Sequence, residues 1–216
     1  MADIESPVVF SAELKKLIRI KMNDPHFTHD NWGDGDLLPL RRFVRTHYRP
    51  LQDKVCYFCK NPLSKKSAMN CQVEHLIPKS THPKFIFTAK NLCLICCDCN
   101  ESKGAHPVTR PKAKLLGYPR SSKQFMIVHP HFDEYSKYIY KTRKGHFTGL
   151  DDNKARKGSY TIFVCGLNKD IDDIGGPNIA HSEMDEFLEM ARRLSENKSD
   201  EEIGSLIAKV SRALTN

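Results

Sequence analysis

Residues 73–80 read Val-Glu-His-Leu-Ile-Pro-Lys-Ser, and residues 91–104 read Asn-Leu-Cys-Leu-Ile-Cys-Cys-Asp-Cys-Asn-Glu-Ser-Lys-Gly. Ahead of both stands Cys56-Tyr57-Phe58-Cys59. A Cys-x-x-Cys knuckle brings two sulfurs about one turn apart, so two knuckles complete a tetrahedral S₄ site. Cys93, Cys96, Cys97 and Cys99 allow more than one second pair, including Cys93 with Cys96. Cys96 and Cys99 are preferred, because Leu92, Leu94 and Ile95 make the preceding run look like buried core. The 36 residues between Cys59 and Cys96 exceed an ordinary zinc ribbon, so something is inserted there. Zinc is favoured over an iron–sulfur cluster, since four regularly paired cysteines suffice for it. Once the four sulfurs are assigned to structural Zn²⁺, Glu74, His75 and Asn100 are left for other chemistry.

The remaining cysteines, Cys71, Cys93, Cys97 and Cys165, read as small buried apolar side chains. Spacing by two residues in a chain without a secretory leader favours metal over disulfides. The first residues, Met-Ala-Asp-Ile-Glu-Ser-Pro, are acidic, with no apolar run behind a basic start. No stretch is long and apolar enough for a bilayer, and the expectation is a cytoplasmic protein with no membrane partner.

The formal charge of +8 is unevenly spread. Between Arg41 and Lys123 seventeen Lys and Arg face four Asp and Glu, a local charge of +13. A basic excess around the cysteines is what a phosphate backbone needs from a partner.

Helical spacing predicts a helix over 11–22, capped by Ser11, with Leu14, Leu17, Ile18 and Met22 on one face. A polar, turn-rich linker follows. A second helix is predicted over 40–48, with Leu40, Phe43, Val44 and His47 inward and Arg41, Arg42, Arg45 and Arg49 outward. A short strand is expected near 71–77 and a helix from about Cys97. Residues 124–129 and 159–165 read as β-like, 137–149 as a hairpin, and the C-terminus as amphipathic helices. The fold class is α+β, divided as 1–39, an N-terminal helix and linker; 40–115, the metal-bearing core; 116–170, a β-rich extension; and 171–216, C-terminal helices.

On Glu74-His75, Asn91, Asn100 and Lys103-Gly104, the core resembles the HNH endonuclease family with its ββα-metal fold. The resemblance covers roughly residues 40–110. It implies a hydrolase of DNA phosphodiester bonds that leaves a 5′-phosphate and a 3′-hydroxyl. His75 would be the general base, Glu74 and Asn100 would bind Mg²⁺ or Mn²⁺, and Asn91 would orient the loop and His75. Physical chemistry agrees: hydrolysis needs a base near neutrality and a hard cation held by oxygens with open positions. Two departures weaken the metal site, Glu in place of the commoner Asp and Asn in place of a final His.

Leu40–Arg45, His129–Tyr135 and Thr161–Asn168 resemble HNH proteins of bacterial anti-phage systems, the Septu-type and retron-associated nucleases. That resemblance implies an ATPase partner, docked through the C-terminal helices. Lys79, Lys103, His106, Arg110 and Lys112 are candidate phosphate contacts, while His82, His129 and His131 read as structural or phosphate-facing rather than catalytic. An RNase on the same scaffold and a non-catalytic zinc-dependent nucleic-acid-binding module are the alternatives; neither spacing nor composition selects DNA over RNA.

Overall fold

The computed structural model describes residues 1–110, 115–142, 145–150 and 156–169. All of these belong to one unit running from Met1 to Ile171. The predicted C-terminal helices lie outside the described residues.

Helix α1, Ala12–Asn23, begins where the Ser11 hydroxyl accepts from the Leu14 N–H at 3.3 Å. Only Leu14 is buried; Leu17 and Ile18 are half-buried, and Met22, expected on the same face, is exposed. The following polar stretch is more than a linker. Thr28 and Asn31 cap a short 3₁₀ turn, His29–Gly33, that buries Trp32.

Helix α2, Leu38–Leu51, buries Leu40, Val44 and Tyr48, one residue per turn on one face. Phe43 and His47, expected inward, turn out to lie elsewhere: Phe43 is 37% exposed, and His47 sits half-buried at the margin. Tyr48 takes the inward place because its hydroxyl links two segments. It accepts from the Val8 N–H at 3.0 Å and donates to the Ala89 carbonyl at 2.8 Å. The outward arginines are also largely committed. Arg45 donates to the Cys71 carbonyl at 2.8 Å, and Arg49 to the Leu63 and Ser64 carbonyls at 2.7 and 2.8 Å. They staple the 63–71 loop to the helix.

Strands β1, Gln72–His75, and β2, Leu92–Ile95, pair antiparallel, with Glu74 opposite Cys93 and His75 opposite Leu92. All four residues of β2 are buried. Its outer edge is closed by Gln52, whose side chain exchanges two 2.8 Å hydrogen bonds with the Leu94 backbone. Helix α3, Cys97–Lys103, follows at once and packs against β1.

In the extension, β3, Ile139–Lys141, and β4, Phe147–Gly149, form the expected hairpin. The other two β readings are corrected. Residues 124–129 contribute an isolated bridge between Phe125 and Thr109 and no strand. Residues 159–165 fall in α4, Lys157–Val164, and the turn after it. The branched and aromatic run looked like a strand, but burial at Thr161, Val164 and Cys165 follows a helical face, and tertiary packing overrides local propensity. The Thr161 hydroxyl donates back to Lys157 at 2.7 Å and accepts from the Val128 N–H at 2.8 Å. The first residues bind this extension as well: the Ile4 N–H donates to the Pro130 carbonyl at 2.9 Å, and the Asp3 carboxyl accepts from the Tyr135 N–H at 3.1 Å. No helix among the described residues is long and apolar enough to cross a membrane.

Candidate functional site

The first knuckle is a tight turn in which the Lys60 N–H returns to the Cys56 carbonyl at 3.0 Å, with Lys60 at a left-handed φ of 60°. The second is the start of α3, where Cys96 is the N-cap and its sulfur accepts from the Cys99 N–H at 3.5 Å. The four sulfurs of Cys56, Cys59, Cys96 and Cys99 lie within 4.8 Å of one another, and all four residues are buried. Cys59 and Cys96 sulfurs are 3.7 Å apart. Metal–sulfur bonds of about 2.3 Å in a tetrahedron set sulfurs roughly 3.8 Å apart, so the cluster has the dimensions of a Zn²⁺ cage. Crowding splits the thiols: S–H donation from Cys56 pulls Cys59 far down and Cys96 to about 7, while Cys56 and Cys99 are pushed up as the proton holders. A divalent cation would replace those protons. Of the other cysteines, Cys71, Cys93 and Cys165 are buried as expected, whereas Cys97 is half-buried, its thiol 3.4 Å from Asp98.

Alternation along β1 sends Gln72 and Glu74 to one face, and both meet α3. Asn100 donates its amide N–H to Gln72 Oε1, and Lys103, one turn on, places Nζ 2.5 Å from Glu74 Oε1. Lys103 also reaches the His75 carbonyl at 3.2 Å. The lysine is wholly buried and Glu74 only 6% exposed. Burial pushes the Glu74 carboxyl up, and the Lys103 ammonium pulls it back. Lys103, expected to touch phosphate, is therefore inside the protein, neutralising a carboxylate.

His75 points to the other face of β1. Its Nε2 lies 3.0 Å from the Ile86 carbonyl. A carbonyl only accepts, so Nε2 carries the proton and the Nδ1 lone pair is left. Burial lowers the His75 pKa to about 3, with the positive charges of Lys79 and Lys103 adding to the effect. The ring is thus neutral at neutral pH, and a weaker base than the near-neutral one expected from the sequence, because burial disfavours its charged form. Trp32 meets it edge to face, with centroids 4.5 Å apart and an interplanar angle of 80°.

Asn91 is fully buried and closes the loop between the strands. Its Oδ1 accepts from the Ile77 N–H at 2.7 Å, and its Nδ2 donates to the Ile77 and Phe85 carbonyls at 3.1 Å each. It so fixes the residue before Ile86, whose carbonyl holds His75.

The remaining candidates are scattered. Lys79 is half-exposed, His106 and Arg110 are exposed, and Lys112 lies outside the described residues. Arg110 donates to the Lys123 carbonyl at 3.0 Å, and His106 faces Phe163 with ring centroids 6.3 Å apart. His82 stacks on Phe85, while His129 and His131 are buried against Tyr118 and the Leu92 carbonyl. Two residues of the site escaped sequence reasoning in their roles. Trp32, the chain's one tryptophan, sits in a polar Asp- and Gly-rich stretch, and a lone large aromatic in such company was the available signal. Lys103 follows Asn100 by three positions, the helical spacing that puts both on β1.

A small α+β protein with four buried cysteines placed so that they could hold a metal ion, beside a buried Glu and a buried His, is the class that fold and site define. Among curated proteins the chain is similar to the Septu protein PtuB of Bacillus thuringiensis, with 26% identity over 142 residues. That stretch covers 66% of this chain and 48% of PtuB, so the chain spans about half the length of this relative. No family profile matches the chain.

Proposed function

We propose that this chain is a metal-dependent HNH endonuclease of DNA, with a ββα-metal core, acting in bacterial anti-phage defence. The observation that carries the reading is His75: a neutral imidazole whose Nε2 is tied to the Ile86 carbonyl, leaving Nδ1 as proton acceptor. Glu74 and Asn100 lie on the face of β1 opposite His75, so Nδ1 takes the proton of an attacking water at the end of the strand, where β1 and its alternation stop at His75. Glu74 and Asn100 offer hard oxygens, few enough to leave positions for water and phosphate, which suits Mg²⁺ or Mn²⁺. When bound, such an ion neutralises charge developing on the phosphate and the leaving oxygen. Lys103, 2.5 Å from Glu74 Oε1, aims the carboxyl group and pulls its burial-raised pKa back down, and Asn91 keeps the loop that orients His75. The Cys56, Cys59, Cys96 and Cys99 cage, loaded with zinc, ties the strand-loop-helix unit together.

The similarity to PtuB supports the defence role, and an ATPase partner, engaged through residues 171–216, belongs to the same proposal. Co-expression with the ATPase of the same operon should give a complex, which removal of 171–216 abolishes. Nuclease activity is tested by plasmid nicking in Mg²⁺ or Mn²⁺, with single-stranded DNA and structured RNA in parallel; RNA cleaved in preference to both DNAs would move the reading to an RNase. Deep burial of Glu74 and His75 favours one competing reading, a non-catalytic binding module. That module predicts salt-dependent nucleic-acid binding and no cleavage in any metal.

A further inference from the structure

Trp32 lies outside the strand-loop-helix unit that carries Glu74, His75, Asn91 and Asn100, yet it meets the imidazole more closely than any other aromatic ring among the described residues. We propose that Trp32 is a positioning residue for His75: its ring forms one wall of the imidazole slot and the Ile86 carbonyl its end. The proposal rests on the reading of His75 as the base.

The turn is built to hold that ring still. Thr28 and Asn31 cap each other, with the Thr28 N–H donating to Asn31 Oδ1 at 2.8 Å, and the Asn31 amide reaching Asp34 at 3.0 Å. Arg41, from α2, spreads its guanidinium over three successive carbonyls, donating to Trp32, to Gly33 at 3.0 Å and to Asp34 at 2.9 Å. Through its backbone, this grip fixes the place of Trp32. Trp32 also packs on Phe87 at 6.0 Å, the residue after Ile86, and Phe87 stacks on Phe27 at 5.8 Å. The wall and the end of the slot are therefore joined to each other as well as to the ring. An imidazole hydrogen-bonded at Nε2 alone can still swing about that bond; a rigid plane set at 80° against it removes the swing and keeps Nδ1 on one line of attack. Small misplacements of a reacting group are costly.

The test uses the zinc-loaded full chain carrying Trp32→Phe, Trp32→Leu or Arg41→Lys, with His75→Ala as control. Zinc content and thermal melting report folding. Trp32→Phe keeps a flat wall and should hold kcat within about threefold, whereas Trp32→Leu keeps an apolar side chain without a plane and should lower kcat by roughly tenfold with KM unchanged. Arg41→Lys keeps the charge but loses the fork, and should lower kcat by about threefold or more, which carries the test if Trp32→Leu does not fold. Imidazole ¹⁵N spectra supply a readout independent of cleavage: the slowly exchanging His75 Nε2–H signal should survive in Trp32→Phe and broaden in Trp32→Leu. Equal kcat in the Phe and Leu variants with an unchanged Nε2–H signal overturns the proposal, and so does a rise in kcat for Trp32→Leu, which would make the ring an obstruction. If His75→Ala itself cuts at the parental rate, the reading of the base fails, and the Nε2–H signal still decides whether Trp32 positions the ring.

Discussion

Lys103→Met is the perturbation whose consequence follows most directly from the buried pair. Lys103 is wholly buried, with Nζ 2.5 Å from Glu74 and 3.2 Å from the His75 carbonyl. Removing one partner of a buried ion pair leaves an uncompensated charge, a loss of about 3–5 kcal/mol. For a domain of this size that corresponds to a melting temperature lower by roughly 6–20 °C. Neutralising both partners, Lys103→Met with Glu74→Gln, should recover most of the loss, because a neutral replacement of a buried pair is often close to neutral in stability. The pH dependence has a definite sign. Burial already raises the folded-state pKa of Glu74 above its ordinary value, and without Lys103 it rises further. A carboxyl with a raised folded-state pKa loses stability as pH climbs from the unfolded value toward the folded one. The deficit of Lys103→Met against the parent should therefore be larger at pH 8 than at pH 5. Thermal melts of the four proteins in the double-mutant cycle, at both pH values, measure this. A Lys103→Met protein melting within about 2 °C of the parent at pH 8 would refute the reasoning, as would a double variant less stable than either single one.

Cys99→Ser should remove bound zinc, from one ion per chain to none by elemental analysis, and collapse the junction of β2 and α3, since structural Zn²⁺ sites contribute about 10 kcal/mol or more to folding. Asn91→Ala leaves buried groups of Ile77 and Phe85 without partners and should cost about 2–4 kcal/mol in denaturant unfolding. His131 is buried and neutral, with its pKa lowered to about 4 by desolvation. Its unfolded form gains a proton first, so stability should fall as pH drops below about 6.5, by roughly 3 kcal/mol at pH 4. His131→Gln should flatten that slope relative to the parent in matched melts.

The clustering of Cys56, Cys59, Cys96 and Cys99 was readable because ligand geometry dictates spacing, and Leu92, Leu94 and Ile95 are buried as their composition demanded. The strand at Glu74 and the helix starting at Cys97 could be read for the same local reason. What escaped depends on contacts between distant segments. The run from Ser159 to Cys165 has strand-like composition, yet it forms α4, which buries Thr161 and Val164, packs against β3 and β4, and takes the Val128 N–H on the Thr161 hydroxyl. The charge count around the core overstated the surface available to a polyanion. Arg41, Arg45, Arg49, Lys84 and Lys103 bind carbonyls or a carboxylate of their own chain, and Lys60 sits 3.9 Å over the Tyr135 ring. Counting cations says how many there are, and only the fold says which of them face water. Trp32 was hidden for a related reason, since nothing in an Asp- and Gly-rich turn announces that its aromatic ring will reach a strand from another part of the chain.

Metal-dependent cleavage by the parent and by His75→Ala, both with full zinc occupancy and matching melting curves, bears most directly on the central claim. The parent should nick plasmid DNA in Mg²⁺ or Mn²⁺ and lose that activity in chelator, and His75→Ala should show no cleavage above background. Cutting by His75→Ala at the parental rate, or no cleavage by the parent in any divalent metal with DNA, RNA and an ATPase partner all supplied, would contradict that claim.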